Sequence, residues 1–304
     1  MSLPAARFAP PAPVRYVVPF GPGGPPDAIG RLVAAALAAF WRTPVTVDNR
    51  PGGNGHAGAE FVVRAPADGC TLLQGTSATH GTNALLFPSL SFDPLADMTA
   101  VVPLIEGPMY LAASEDQPFD DVEGLLAHAA AHPGRLRFGT AGPGSPQHLA
   151  GELLKMRAGI DIVPVHQAGA AQALRAIVQG DVDIYFGSEF LARPEAARLK
   201  LLAVSTRWRW PLAPHIPTLV ERGIADFEIH GWFGLFAPAA TPAAVVDAIN
   251  ADVNAVLQQP DVAEGIRAYG YRALGGTPAE FVDRLQRDVL YWTELVKRHQ
   301  LALA

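Results

Sequence analysis

The chain has 304 residues, of which 49% are hydrophobic and 17% charged, with a formal charge of −6. This length accommodates two domains of ordinary size, and the composition excludes a disordered chain. The acidic balance, without any Lys/Arg cluster, excludes a nucleic-acid footprint, and no apolar run approaches the ~18–20 residues of a membrane span.

The first 14 residues hold four prolines and no continuous apolar core, so they are not an intact signal peptide. Either the protein is cytoplasmic or its leader has been removed. Tyr16-Val17-Val18 then runs into a loop with four prolines and three glycines between positions 19 and 26. An amphipathic segment follows, with Ile29, Leu32, Val33, Ala36, Leu37 and Phe40 at helical spacing. Pro26 suits its first turn, where an amide proton has no intrahelical partner. Strand, glycine loop and helix N-terminus in this order aim free backbone amides at one spot, which suits an anion or simply a tight turn.

Strands are predicted over 15–20, 45–49, 70–75, 109–113, 136–140, 162–166, 182–186, 201–205 and 233–237. Helices are predicted over 26–41, 55–65, 80–87, 121–132, 146–158, 169–179 and 215–223. The alternation implies an α/β fold with largely parallel sheets. Cys70, the only cysteine, reads as a small core residue and rules out an internal disulfide. The strand–glycine turn–helix theme recurs at Phe138 to His148, with Ser145 as N-cap and Pro146 as first helical residue. Two anion-friendly helix starts in successive halves suggest one ligand gripped from both sides. The last 65 residues read as helical without a strand, with N-caps at Thr241-Pro242 and at Thr277-Pro278, the latter with a capping-box Glu280. Val245 to Leu257 and Phe281 to Val296 mark two long helices.

The chemistry of an enzyme does not emerge from motifs. Neither Ser77 nor Ser145 lies in a G-x-S-x-G elbow. The first glycine loop lacks the Lys-Ser/Thr of a phosphate-binding loop and the dinucleotide spacing. Of nine histidines only His128 and His132 stand at i, i+4, in an Ala-rich helix with no acid between them, which reads as a surface pair rather than a metal site. No metal and no cofactor are expected.

The chain resembles the Bug/TctC-type solute-binding receptors of tripartite tricarboxylate transporters from about Val14 to Leu301. The resemblance lies in Val17-Val18-Pro19-Phe20 with Pro22-Gly23-Gly24 and Asp27, then Val47-Asp48-Asn49-Arg50-Pro51-Gly52 and Gly75-Thr76-Ser77-Ala78-Thr79-His80. It continues through Gly139, Gly142, Gly144-Ser145, Gln147 to Glu152, Gly180-Asp181-Val182-Asp183, Trp232 to Leu235 and Gly275 to Pro278. It implies a two-lobed periplasmic-binding-protein fold with a hinge and an interlobe ligand cleft. Lobe 1 would comprise 1–104 plus 230–304, and lobe 2 the inserted 105–229, with crossings near Val102-Pro103-Leu104 and His230-Gly231-Trp232. Trp232 is assigned to core packing ahead of a hinge or cleft-wall role.

By the same resemblance the protein is a monomeric periplasmic receptor, not an enzyme. It captures a small organic carboxylate and delivers it to the membrane subunits of a transporter, its leader having been removed. A same-fold ligand sensor without its own transporter is the alternative, and a cleft enzyme is a third reading. Lobe 1 would contribute Phe20, Gly23, Gly24 and Asp27, with Thr76, Ser77 and Thr79 offering hydroxyls to a carboxylate or its waters. Lobe 2 would contribute Gly142, Ser145, Gln147 and His148. His148 reads equally as a helix-start residue satisfying a neighbouring backbone group, and Asp27 as a carboxylate that caps local amides and holds its loop open. Three departures bear on the ligand. Pro26 stands where the family has Thr or Ser. His166-Gln167-Ala168-Gly169 replaces a Pro-Tyr-Lys-Gly run, placing an amide, Gln167, where an aromatic wall is usual. Gly187 replaces an acid, which tilts the ligand from amino acids towards plain carboxylates unless Glu189 restores the charge.

Overall fold

The computed structural model describes residues 5–83, 90–188, 190 and 194–299. In chain order its first elements are β1 (Val14–Val18), α1 (Pro25–Trp41), β2 (Val45–Asn49), α2 (His56–Val63), β3 (Thr71–Thr76) and β4 (Met98–Pro108). Next come β5 (Tyr110–Ala113), α3 (Val122–Ala131), β6 (Arg137–Thr140), α4 (Pro146–Ala158), β7 (Val163–His166), α5 (Ala170–Val178), β8 (Ile184–Gly187) and β9 (Lys200–Val204). The chain closes with β10 (His230–Pro238), α6 (Ala243–Leu257), α7 (Pro260–Ala268), β11 (Arg272–Ala273) and α8 (Pro278–His299). These elements form two compact units. Unit 1 takes the described residues up to Glu106, then Trp232–Arg267 and Arg272–Arg298; unit 2 takes those of Gly107–Gly231, with Ala268–Tyr271 and His299.

Unit 1 is built on a six-stranded sheet in the order β11-β4-β10-β3-β1-β2. β1 pairs in parallel with β2 and β3, whereas β10 runs antiparallel to β3 and β11 antiparallel to β4. α1 buries Ile29, Val33, Leu37 and Trp41, one stripe at i+4 spacing. Leu32, Ala36 and Phe40, expected on that face, are only partly buried. α2 and α8 close a second core of Val17, Ala59, Val62, Leu73, Phe236, Phe281 and Leu285. Trp232 belongs to this core, 1% exposed and edge-on to Phe281, with its indole N–H donated to Asp288. Glu106 ties three elements together by accepting from Arg272 of β11 and, at 2.7 Å, from Arg284 of α8. Burial raises its pKa, but the two guanidiniums outweigh that and hold the carboxyl below its usual range.

Unit 2 carries a five-stranded sheet in the order β7-β6-β8-β5-β9. β6 is parallel to β7 and β8, and β5 antiparallel to β8 and β9. α4 buries Leu149, Leu153 and Leu154, and Ser145 caps it by accepting from the His148 amide. On α5, Ala173, Leu174 and Ile177 pack with Tyr185, Trp210 and Ile216.

Several sequence expectations are corrected. Both sheets are mixed rather than largely parallel. β4, an eleven-residue strand, was not foreseen because Pro103 and Pro108 punctuate its apolar run; beyond its two-residue pairing with β11 it has room for prolines. The tail does contribute a strand, β11, and three helices rather than two, α7 being the addition. Over 215–223 there are turns and a bridge from Val204 to Thr218 instead of a helix. There Thr218 and Glu221 exchange amide hydrogen bonds as in a capping box, but Gly223 at φ 84° ends the segment. The N-cap of α6 is Pro242, not Thr241. Within the expected helix 80–87, residues up to Thr82 form the end of a π-helical turn, Ala78–Thr82, and 84–87 lie outside the described residues, as does Glu189.

Candidate functional site

Each unit has one strand from which connections leave in opposite directions. In unit 1 it is β1, which leads through α1 to β2 on one side, the chain then returning through α2 to β3 on the other. In unit 2 it is β6, with α4 and β7 on one side and α5 and β8 on the other. At such a switch point the loops leaving the parallel strands part, and α/β sheets take ligands there. The thirteen expected site residues all fall at these carboxyl-terminal strand ends. Phe20, Gly23, Gly24 and Asp27 follow β1; Thr76, Ser77 and Thr79 end or follow β3. Gly142, Ser145, Gln147 and His148 follow β6, Gln167 follows β7, and Gly187 ends β8.

In unit 1 the loop after β1 turns through Gly23 at φ 91°, a left-handed conformation that favours glycine. Pro22, Pro25 and Pro26 carry no amide proton, so Gly21, Gly23 and Gly24 supply the donors of this stretch. Gly23 donates to Asp27 Oδ2 at 3.0 Å. Asp27, 5% exposed, also accepts from Arg31 Nε at 3.1 Å and Nη2 at 2.9 Å, and from Asn49 Nδ2 at 2.9 Å. Both of its oxygens are therefore engaged inside the unit. Burial raises the Asp27 pKa, yet the hydrogen bonds from Arg31, Gly23 and Asn49 prevail and hold it below the usual carboxylate range. Asn49 donates its other proton to Phe20 O at 3.0 Å, fixing the loop's entry. Pro26 is held through its carbonyl, which accepts from Gln74 Nε2 at 2.8 Å, and Gln74 in turn accepts from the Tyr16 hydroxyl.

After β3 the hydroxyls are unequal. Thr79 Oγ1 accepts from the Thr76 amide at 2.8 Å and shares a 2.9 Å hydrogen bond with His80 Nδ1, while Thr76 Oγ1 accepts from the Ala78 and Thr79 amides. These two threonines shape the turn. Ser77 is buried and its hydroxyl bonds to none of the described residues, so of the three it is the least committed to the turn. His80 lies stacked 3.7 Å from the Phe236 ring, and burial drives its pKa down to about 3. Gly55, preceding α2, is required by close approach. A Cβ there would stand 2.6 Å from Thr79 Cγ2 and 3.2 Å from Phe20 Cζ, so the loops after β1, β2 and β3 converge on it.

In unit 2 the loop after β6 is anchored by an imidazole. Gly144 donates to His148 Nδ1 at 3.0 Å, and Gly142 donates to Thr140 Oγ1 at 3.1 Å. Nδ1 can accept only if it carries no proton, so His148 is neutral with its proton on Nε2. Burial, then His166 and Lys155, push its pKa down to about 4. His148 is 4% exposed, and Nε2 donates to none of the described residues. Gln147 Oε1 is likewise buried without a partner. Thus the sequence alternative for His148, a residue satisfying a neighbouring amide, describes one ring nitrogen and leaves the other available. Gln167 is held by its amide on Thr140 O at 3.0 Å, and a Cβ on Gly142 would stand 3.6 Å from Gln167 O. Gly187 pairs with Tyr110 in the sheet. Asn49, Gly55, Thr140 and His166 belong to these clusters but were not singled out as site residues. Asn49, Thr140 and His166 end β2, β6 and β7, the strand ends beside which the residues expected from the resemblance also lie.

A family model described as the tripartite tricarboxylate transporter family receptor, TctC, matches residues 29–301. The chain belongs to this family of periplasmic solute-binding receptors, which are not enzymes. It is 34% identical over 295 residues to a UPF0065 protein in the tcbD-tcbE intergenic region of Pseudomonas sp., covering 96% of this chain and 88% of that one. Among solved structures it superposes on R. palustris Rpa4515 with adipate at a TM-score of 0.92 and 33% identity, covering 96% of this chain and 99% of the other. It superposes on MatC (Rpa3494) from Rhodopseudomonas palustris with bound malate at 0.87 and 32%, covering 94% and 99%. Among the described residues no helix is long and apolar enough to cross a membrane.

Proposed function

We propose that this receptor captures a small dicarboxylate with the switch-point loops of both units, acting as two lobes, and hands it to the membrane subunits of a tripartite tricarboxylate transporter. What supports the reading is that each unit carries a glycine loop at an equivalent strand end, with uncommitted donors at Ser77 and at His148 Nε2. A carboxylate removed from water needs its lone pairs filled by such groups. The proteins of similar structure hold adipate and malate, both dicarboxylates. Gly187, where the resemblance places an acid in relatives, removes a partner for an ammonium group and favours plain acids over amino acids. Ligand held by one lobe adds contacts for the other, so closure follows binding.

Thermal unfolding of ligand-stripped protein against mono-, di- and tricarboxylates, amino acids and aromatic acids tests this. A ligand at 100 times its Kd adds about 2.7 kcal/mol. Dicarboxylates should give the largest shift. Amino acids giving it would refute the reading of Gly187, and no shift with any acid would refute the receptor's carboxylate specificity.

A further inference from the structure

At the mouth of the unit 2 loop stands a second imidazole. His166, the last residue of β7, is exposed, and its ring lies perpendicular to that of His148 with centroids 4.8 Å apart. Its Nδ1 is 2.7 Å from Thr140 Oγ1. We propose that His166 is a specificity-determining residue that meets one carboxylate of the ligand and gains a proton as it does so, making capture of a dicarboxylate proton-linked. The inference rests on the carboxylate-receptor reading.

The two histidines differ in what their Nδ1 atoms face. At His148 the partner is an N–H, that of Gly144, and a proton on Nδ1 would set two donors against each other. At His166 the partner is a hydroxyl, which can donate or accept. With His166 neutral, Thr140 donates to Nδ1 and Nε2–H is left for the ligand. When a proton from solvent is added at Nδ1, His166 donates to Thr140 Oγ1. The Thr140 proton can then turn to Gly142 O, 3.4 Å away, while Oγ1 keeps the Gly142 amide. Both states are satisfied without moving the backbone.

The surroundings set the sign. β6 offers Thr140, and its Arg137 is held by Asp183 at 2.9 Å. α4 offers neutral His148 and the Lys155–Glu152 pair at 3.1 Å. The 167–169 loop offers Gln167, and α5 carries Arg175 as its single ionisable side chain. Among the described residues the contacts of His166 are Thr140 and His148, neither of them acidic, and Glu152 of α4 is engaged by Lys155. The charge that favours the imidazolium must therefore come from the ligand.

Calorimetric titration of the whole protein with succinate, adipate and butyrate, at pH 6 and pH 8 in buffers of contrasting ionisation enthalpy, tests the proposal. Dicarboxylates should bind about tenfold more tightly at pH 6 than at pH 8, with uptake of up to one proton, and butyrate should change by less than about threefold. His166→Gln should abolish the proton uptake and the tightening at pH 6 while leaving the melting temperature unchanged. Tight dicarboxylate binding without proton uptake, or uptake that persists in His166→Gln, would overturn the role of His166 and leave the receptor reading intact. Failure of every acid to bind at either pH would overturn both.

Discussion

The loop after β1 and the loop after β6 occupy the same place in their sheets and are held in the same way, by a side chain four residues beyond a glycine whose amide it accepts. In unit 1 that side chain is the carboxylate of Asp27; in unit 2 it is the imidazole of His148. The difference decides what each loop can offer an anion. Asp27 brings a negative charge and engages every partner within its own unit, so what this loop can offer an anion is backbone amides and the Ser77 hydroxyl. His148 brings no charge and keeps a second nitrogen as a donor. One loop is fastened by a group that an anion must avoid, the other by a group that an anion can use.

Removing the fasteners tests this division. Asp27→Ala leaves the Gly23 amide, Asn49 and Arg31 without their buried acceptor, at a cost of about 2–3 kcal/mol. The midpoint of urea denaturation should fall accordingly, and ligand affinity with it. His148→Ala should cost about 1–2 kcal/mol of stability and in addition about tenfold or more in affinity, because a donor to the ligand is lost as well as an anchor. If Asp27→Ala and His148→Ala weakened binding only in proportion to stability, the distinction between the loops would fail.

Acid should separate the two anchors in order. The folded pKa of His148 lies near 4 and that of His80 near 3, both below the unfolded imidazole value of about 6.5. The unfolded chain therefore takes up protons first as pH falls. Stability from these groups is complete above about pH 6.5 and is lost progressively towards pH 4 and below. The Asp27 carboxyl, held below its usual range, gives way only beneath about pH 4. Urea midpoints between pH 8 and pH 4 should decline from about 6.5 downward, and His148→Gln should flatten part of that slope. An unchanged slope would contradict the assignment of Nδ1 as an acceptor.

The smallest effect concerns the hydroxyls after β3. Ser77→Ala should weaken ligand binding by about fivefold, the worth of roughly 1 kcal/mol of hydrogen bonding, without lowering the melting temperature. Thr79→Val should do the reverse, since Thr79 Oγ1 serves the turn. Equal effects on affinity would erase the distinction between them.

Much of this was legible beforehand because local chemistry dictated it. Four prolines and three glycines after a short apolar run can scarcely be anything but a turn, Ser145-Pro146 marks a helix start, and Thr277 with Glu280 forms the capping box the spacing implies, at 2.8 Å and 3.2 Å. The same local logic misled where tertiary context prevailed. β4 is a strand despite its prolines, and the Thr218–Glu221 box caps a turn that never becomes a helix. Least legible was the division of labour among neighbouring side chains. Thr76, Ser77 and Thr79 look alike in sequence, and only the fold shows which hydroxyl is left over. The importance of Thr140 and His166 was hidden for the same reason, since their meeting depends on the register of β6 against β7.

The most direct test of the central claim is an amide and imidazole NMR titration of the ligand-stripped protein with a dicarboxylate. The resonances of Gly24 and Ser77 in unit 1 and of Gly142, Gln147 and His148 Nε2–H in unit 2 should all shift and saturate with one Kd. Shifts confined to a single unit, or two sets with different Kd values, would contradict capture of one ligand by both loops.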